Sequence, residues 1–158
     1  MKYIYAEDIQ KISEEISRLL FPHVKLERMK CFRSHGSSSR GTIARCHTIG
    51  KLLQKAMDTE SFYVLEFISE RFDRLPEEEK IKTIIHELMH IPHTFGGGFR
   101  HHDHVCERNV NNSYRTYKEK KMELENSDVL GLKEMKWKNA DNIKQMKDIG
   151  KNAEKGFF

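Results

Sequence analysis

The chain has 158 residues, of which 37% are hydrophobic and 33% are charged, and its formal net charge is +4. A chain of this length can bury one core, and the composition predicts a thin core under a well-solvated surface. No segment approaches the roughly 18 consecutive apolar residues of a membrane span, and Met1–Asp8 lacks the apolar stretch of a signal peptide. These features argue against a membrane-spanning or secreted protein and predict a cytoplasmic location.

The cysteines give little evidence of cross-linking. There are three, an odd number, and no CxxC pair occurs, so neither a disulfide framework nor a zinc ribbon is indicated. Cys31 and Cys46 lie symmetrically about the Gly36–Gly41 turn, which leaves a bridge or a second metal site between them as an alternative. Buried free thiols are the favoured interpretation.

The first half of the chain predicts a helix followed by a small sheet. Ala6–Leu20 has the spacing of an amphipathic helix, whose inner face carries Ile9, Ile12, Ile16, Leu19 and Leu20. Lys30–His35 and Thr42–His47 predict two strands around a turn rich in glycine and serine. Ile49–Met57 predicts a short helix, and Phe62–Ser69 predicts an apolar strand.

The segment between Pro76 and Pro92 predicts a buried helix. Proline suits the first helical turn, and the three glutamates that follow it place negative charge at the positive end of the helix dipole. Apolar residues recur at spacings of three and four, as a helix buried in a small domain requires; they are Ile81, Ile84, Ile85, Leu88 and Met89.

His86, Glu87 and His90 stand in this helix with the HExxH spacing of zinc hydrolases. Positions i and i+4 lie on one helix face with Cβ atoms about 5–6 Å apart, so two imidazoles can share one ion. Glu87 lies about 100° further round the helix, where its carboxylate can take a proton from a zinc-bound water. The spacing therefore predicts Zn²⁺ on the two histidines, with Glu87 as general base.

A third ligand is available just beyond the helix, because six of the nine histidines fall between His86 and His104. The glycines at 96–98 let the chain reverse, and His101, His102 and His104 follow. Gly96 stands where the metzincin pattern requires histidine, which excludes that class. A third-ligand glutamate, Glu107, ranks below the nearer imidazoles.

The C-terminal part predicts a helix over about Asp103–Glu125, a break at Asn126–Asp128 and a last amphipathic helix. The apolar positions of that last helix are Leu132, Met135, Ile143, Met146 and Ile149. We therefore expect one domain over 1–125 and a helical tail over 126–158 that packs on the same domain, in preference to a tail that covers the cleft.

The run His86–His104 resembles the metallopeptidases of archaea and phages, a group similar to the SprT-like zincins. In that family the HExLH-I-P motif is followed by a glycine-rich turn, an arginine and a histidine that opens the next helix. Arg33–Ser37, Ala44–Arg45 and Glu66–Asp73 resemble the same group, so the likeness spans about Cys31–Tyr117.

The resemblance implies His102 as third ligand beside the two motif histidines, with Glu87 as the catalytic base. His101 stands where a proline is expected, so His101 and His104 stay open as alternatives. The order of the elements matches an α+β, zincin-like fold, with a small three-stranded sheet packed on the active-site helix and flanking helices. An edge strand of such a sheet can line the cleft and pair with an extended substrate.

Positive charge is concentrated between Lys25 and Lys55, where eight Lys and Arg residues face one acid, Glu27. Such a segment can bind nucleic-acid phosphates. We favour instead arginines on the outward side of the strands that pair with acids such as Glu66 and Glu70, because aromatic residues for base stacking are not interleaved.

Three side chains in or after the loop that follows the motif helix have two interpretations. Tyr114, Tyr117 and Arg100 are candidate donors to the oxyanion of a tetrahedral intermediate. Core packing or ion pairing is the favoured interpretation for each.

The function predicted from these observations is a zinc-dependent metallopeptidase that acts on protein or peptide substrates. The alternative is a non-catalytic, metal-stabilised binding protein, associated with nucleic acid through segment 25–55. Its weakness is that a structural zinc site usually has four protein ligands, whereas HExxH uses its glutamate for chemistry.

Overall fold

Five α-helices and a mixed sheet of four strands make up residues 1–129, the part of the chain that the computed structural model describes. The strands are β1 (Lys2–Tyr5), β2 (Met29–His35), β3 (Ala44–Thr48) and β4 (Tyr63–Ile68). The helices are α1 (Glu7–Leu20), α2 (Lys51–Met57), α3 (Ser69–Phe72), α4 (Glu77–Met89) and α5 (Glu107–Val129). The predicted α+β class is confirmed.

The strand order is β1-β2-β4-β3, with β2 and β4 parallel and the other two pairs antiparallel. The predicted three-stranded sheet is therefore wrong, because β1 adds a fourth strand. All four residues of β1 are exposed, so the sequence carries no alternation of buried and exposed positions that would reveal it. The strands on either side of the glycine turn are not neighbours, since β4 lies between them. A nearly continuous apolar strand suits such a central, doubly covered position.

This strand order keeps Cys31 and Cys46 apart. Both are paired in register with Leu65, one from each side of β4. Adjacent strands lie about 4.8 Å apart, so the two cysteine Cα atoms are separated by about twice that, beyond the reach of a disulfide. Both are free thiols, and burial raises the pKa of Cys31 to about 12.

The core lies on the face of the sheet against which α1 and α4 pack. That face carries fully buried side chains from β2 and β4, including Met29, Leu65 and Phe67. Gln10 of α1 connects helix and sheet, since its Oε1 accepts from Cys31 N at 2.8 Å and its Nε2 donates to Met29 O at 3.0 Å. These bonds satisfy a buried amide and fix the position of α1 on β2.

Arg33 and Arg45 of the basic segment form ion pairs with acids of neighbouring elements. Arg33 donates from both terminal nitrogens to Asp8 at 2.6 and 2.7 Å, and from Nε to Asp73 at 3.1 Å. Arg45 lies 3.6 Å from Glu66, as expected from the sequence. Glu70 instead accepts from a backbone N–H, so the partners of Arg33 come from α1 and the end of α3.

Helix α5 begins later and ends later than the sequence suggests. The predicted break at Asn126–Asp128 is wrong, because these residues continue the helix, and Ser127 Oγ donates to Glu123 O at 2.8 Å. Such a bond to the carbonyl one turn earlier lets serine stay helical. Residues 1–118 form one compact unit and a second begins at Glu119. The predicted last helix and its role lie outside the described residues.

No helix within residues 1–129 is both long enough and apolar enough to cross a membrane.

The position of Leu65 at the centre of the sheet gives a prediction for stability. Leu65→Ala is expected to lower the free energy of unfolding by about 2–5 kcal/mol, because removal of this fully buried side chain leaves a cavity in β4, between the strands that carry Cys31 and Cys46. The control is Leu52→Ala in α2, where the leucine is 81% exposed and a change within about 0.5 kcal/mol is expected. Urea denaturation of both variants measures the difference, and equal losses would contradict this account of the core.

Candidate metal centre

Helix α4 presents its two motif histidines on one face. His86 lies in the last full turn, and His90 follows the final helical residue with φ −68° and ψ −18°. Because His90 keeps helical backbone angles, the i and i+4 relation survives at the helix end. The two imidazole centroids are 5.1 Å apart.

His102 returns to the same place from the loop after α4. Its ring centroid lies 5.9 Å from that of His86 and 5.2 Å from that of His90. One nitrogen from each of the three rings can be chosen so that all lie within 4.8 Å of one another. A tetrahedral zinc ion with Zn–N bonds of about 2.0–2.1 Å needs nitrogens about 3.4 Å apart, a contraction within the range of side-chain rotation. The three residues therefore fit one ion.

The orientation of His90 is set by Arg100 through the backbone. The Nδ1 of His90 lies 2.7 Å from Arg100 O and donates to it, and Arg100 N donates to His90 O at 2.8 Å. The Nε2 of His90 is left for a ligand. Carbonyl contacts of this kind fix the tautomer of metal-binding histidines.

Burial keeps the histidines of α4 neutral. It lowers the pKa of His86 and of His90, and the neighbouring imidazoles lower it further. Neutral imidazole is the form that binds metal, so the electrostatics of the cluster favour an ion over protons.

Glu87 lies beside these rings with its carboxylate free of protein partners. The residue is only 6% exposed, and no hydrogen bond or ion pair to its carboxylate occurs within residues 1–129. Burial raises the pKa of Glu87 to about 7. A buried acid without a partner is costly in a folded protein and is typical of a functional group.

The other candidate ligands, His101, His104 and Glu107, lie outside the cluster of three imidazoles. His101 is exposed and lines the same cavity as the three histidines, without joining their cluster in the described part of the chain. His104 lines a separate cavity of about 330 Å³ together with His23, His93 and Arg100. Glu107 begins α5 and lines a cavity on the other side of Glu87.

A family model described as "Putative phage metallopeptidase" matches residues 1–131. The chain belongs to this family. The match includes every described helix and strand and all of the histidines above, and the family implies a metal ion and peptidase activity. No curated protein and no solved structure matches the chain.

In this member of the family, the loop that carries His102 is held by residues that the sequence did not suggest. The Tyr63 hydroxyl donates to Gly98 O at 2.8 Å and accepts from Gly97 N at 3.0 Å. Gln54 donates to Gly96 O at 3.0 Å, and Ser61 donates to the carbonyl of Phe95. Only the glycine run signalled this loop.

Gly97 is required where the loop approaches α2. It has φ +102°, and a Cβ there would lie 2.5 Å from Ile49 O and would also collide with the Gln54 amide. Any side chain would therefore displace the loop that carries His102.

The two tyrosines of α5 have structural contacts. Tyr117 donates to Glu15 at 2.6 Å, and the ammonium groups of Lys82 and Lys118 lie 5.3 and 4.6 Å from the ring centre of Tyr114. Neither tyrosine lines the cavities beside Glu87. Packing is thus the better account of both, whereas Arg100 does line one of these cavities.

Tyr63→Phe is expected to weaken metal binding about tenfold, because the loop that carries His102 loses two hydrogen bonds while the ring is kept. Competition with a chromophoric zinc chelator measures the affinity. Tyr114→Phe, which removes a hydroxyl away from this loop, is the control and should bind zinc as the unchanged protein does. Equal affinities for both variants would show that Tyr63 does not support the site.

Proposed function

We propose that this chain is a zinc-dependent metallopeptidase, with His86, His90 and His102 as ligands and Glu87 as general base. The observation that carries the proposal is the convergence of three imidazoles beside a buried carboxylate that has no partner within residues 1–129. Family membership supports the class of enzyme, and the local geometry supports the residue assignments.

The donor set favours zinc. Three neutral imidazoles suit Zn²⁺, whereas hard cations such as Mg²⁺ take oxygen ligands. A bound zinc ion would supply Lewis acidity, which lowers the pKa of water to about 7 and polarises a carbonyl. With three protein ligands rather than four, the set resembles a catalytic site rather than a structural one.

Glu87 would move the proton of the reaction. Its carboxylate accepts a proton from the attacking water and passes it to the leaving amine. Without an ion in the site, burial raises the pKa of Glu87 to about 7, and a raised pKa makes its carboxylate a stronger base towards the attacking water.

The position of β3 supports an extended polypeptide as substrate. Within residues 1–129, β3 has a neighbouring strand on one side only, and Ala44 lines the cavities together with His86 and Glu87. An extended chain can add to such a free edge through main-chain hydrogen bonds. A helix of metal ligands beside an edge strand also supports a zincin-like arrangement similar to the SprT-like group.

Zinc content tests the ligand set. Purified protein is expected to contain about one zinc ion per chain, and His102→Ala should lose most of it because three imidazoles form the set. His101→Ala and His104→Ala are matched controls from the same loop and should retain zinc. Elemental analysis after purification without chelators gives the comparison, and the double variant of His86 and His90 to alanine should contain none.

Two results would change the assignment. Zinc loss that is greatest for His104→Ala would move the third ligand to that residue. Zinc retention by all three single variants would point to Glu107 as the third ligand.

The role of Glu87 is tested by Glu87→Gln, which keeps size and hydrogen bonding but removes basicity. Peptide hydrolysis is expected to fall about 10²–10⁴-fold, the usual contribution of a general base, while zinc content and thermal stability stay unchanged. Rates on an unfolded protein substrate, measured with and without DNA, provide the test. Unchanged hydrolysis would remove Glu87 from the mechanism. A zinc-loaded wild type that cleaves nothing yet binds a partner would favour the metal-stabilised binding protein.

A further inference from the structure

Two cavities meet at the candidate reactive centre. One has a volume of about 560 Å³ and the other about 310 Å³, and both are lined by Ala44, His86 and Glu87. The cleft therefore continues to either side of these residues along β3, towards Gly41 on one side and Cys46 on the other.

The larger cavity has acidic walls. Glu79 and Glu107 line it beside the apolar side chains of Ile43 and Val110. Lys82 is the one cation among its lining residues within 1–129, and it is engaged, since its ammonium lies 2.8 Å from Glu78 and 3.9 Å from Glu79. Glu107 is exposed and has no hydrogen bond or ion pair for its carboxylate in the described part of the chain. The cavity thus presents an uncompensated negative charge.

The smaller cavity has the opposite character. It contains the three clustered histidines, and Arg45, Arg100 and His101 also line it. Glu87, shared with the other cavity, is the only acid among its lining residues within 1–129. Arg45 is partly neutralised by Glu66 at 3.6 Å. Arg100 has only His93 as a side-chain partner, at 3.4 Å, and no acid lies within ion-pair distance of it among residues 1–129. A positive charge therefore faces the cleft on this side.

We propose that the cleft selects polypeptides by charge, with a Lys or Arg side chain in the Glu79–Glu107 cavity and an Asp or Glu side chain beside Arg45 and Arg100, on the wall of the smaller cavity. The proposal rests on the proposed function, because the smaller cavity contains the three candidate ligands and the larger one adjoins them. Glu87 also points to a ligand here, since its nine-tenths buried carboxylate lines both cavities and has no partner within residues 1–129.

The direction of β3 specifies the order of the two charges for a substrate that pairs with its free edge antiparallel, as β4 does on the other side. The acidic cavity adjoins Gly41–Ala44 and the basic cavity adjoins Ala44–Cys46. A substrate antiparallel to β3 would place its earlier residues beside the basic cavity and its later residues beside the acidic one. Such a substrate has its acidic residue before the scissile bond and its basic residue after it.

Peptide binding to zinc-loaded Glu87→Gln protein tests the proposal without depending on turnover. Two peptides of identical composition, with Asp and Lys in either order around a central apolar pair, are compared by fluorescence anisotropy. The Asp-first peptide is expected to bind about fivefold more tightly, an effect that partly exposed charge pairs can supply. The difference should shrink at high salt.

Variants assign the effect to each side. In zinc-loaded Glu87→Gln protein, Glu107→Lys should abolish the preference for the peptide's lysine on that side. Arg100→Gln should weaken the preference for the peptide's aspartate on the other side. Glu7→Lys is the matched control, because Glu7 begins α1 as Glu107 begins α5 and its side chain is 72% exposed.

The outcomes separate this proposal from the peptidase assignment. Equal binding of the two orders, or equal effects of Glu107→Lys and Glu7→Lys, would overturn charge selection whether or not the wild type cleaves. Order-dependent binding with no cleavage by the wild type would keep charge selection and overturn the peptidase assignment.

Discussion

The site depends on the junction between the end of α4 and Arg100. Two hydrogen bonds join His90 and Arg100, one through the backbone and one through the imidazole, and they close the loop that begins where the helix ends. His102 follows Arg100 by two residues, so these two hydrogen bonds also bring His102 back beside α4. Without them, the chain would keep two histidines on one helix turn and lose the geometric reason for a third imidazole beside them.

Local and non-local parts of the molecule differ in how well the sequence predicts them. The spacing of His86, Glu87 and His90 acts through one helix turn, and the structure places all three in or directly after α4 as expected. The choice among the later histidines depends on the path of a loop held by Tyr63 and Gln54, which are distant in sequence and carry no motif. The family likeness suggested His102, and the residues alone left it open.

The sheet also has local features that the sequence predicts and non-local features that it does not. The sequence predicts β4 from its apolar run and predicts β2 and β3 from the glycine- and serine-rich turn between them, but the order of the strands depends on which strand has both faces covered. β4 takes the central position because its side chains are almost all buried, and this separates β2 from β3 despite the turn between them. β1 has no buried residue, so its pairing with β2 left no hydrophobic pattern to read.

The segment 36–43 has a consequence for how proteins with this fold can diverge. It crosses the end of β4 and is anchored there, since Ile68 N donates to Ile43 O at 2.8 Å and Arg71 donates to Thr42 O at 3.0 Å. The segment contributes none of the three clustered histidines, although Gly41–Ile43 form one wall of the cleft. Surface connections tolerate changes in length and sequence better than the elements they join. Under the proposed function, changes in this segment would therefore reshape the wall that meets the substrate, while His86, Glu87 and His90, more than forty residues later, stay the same.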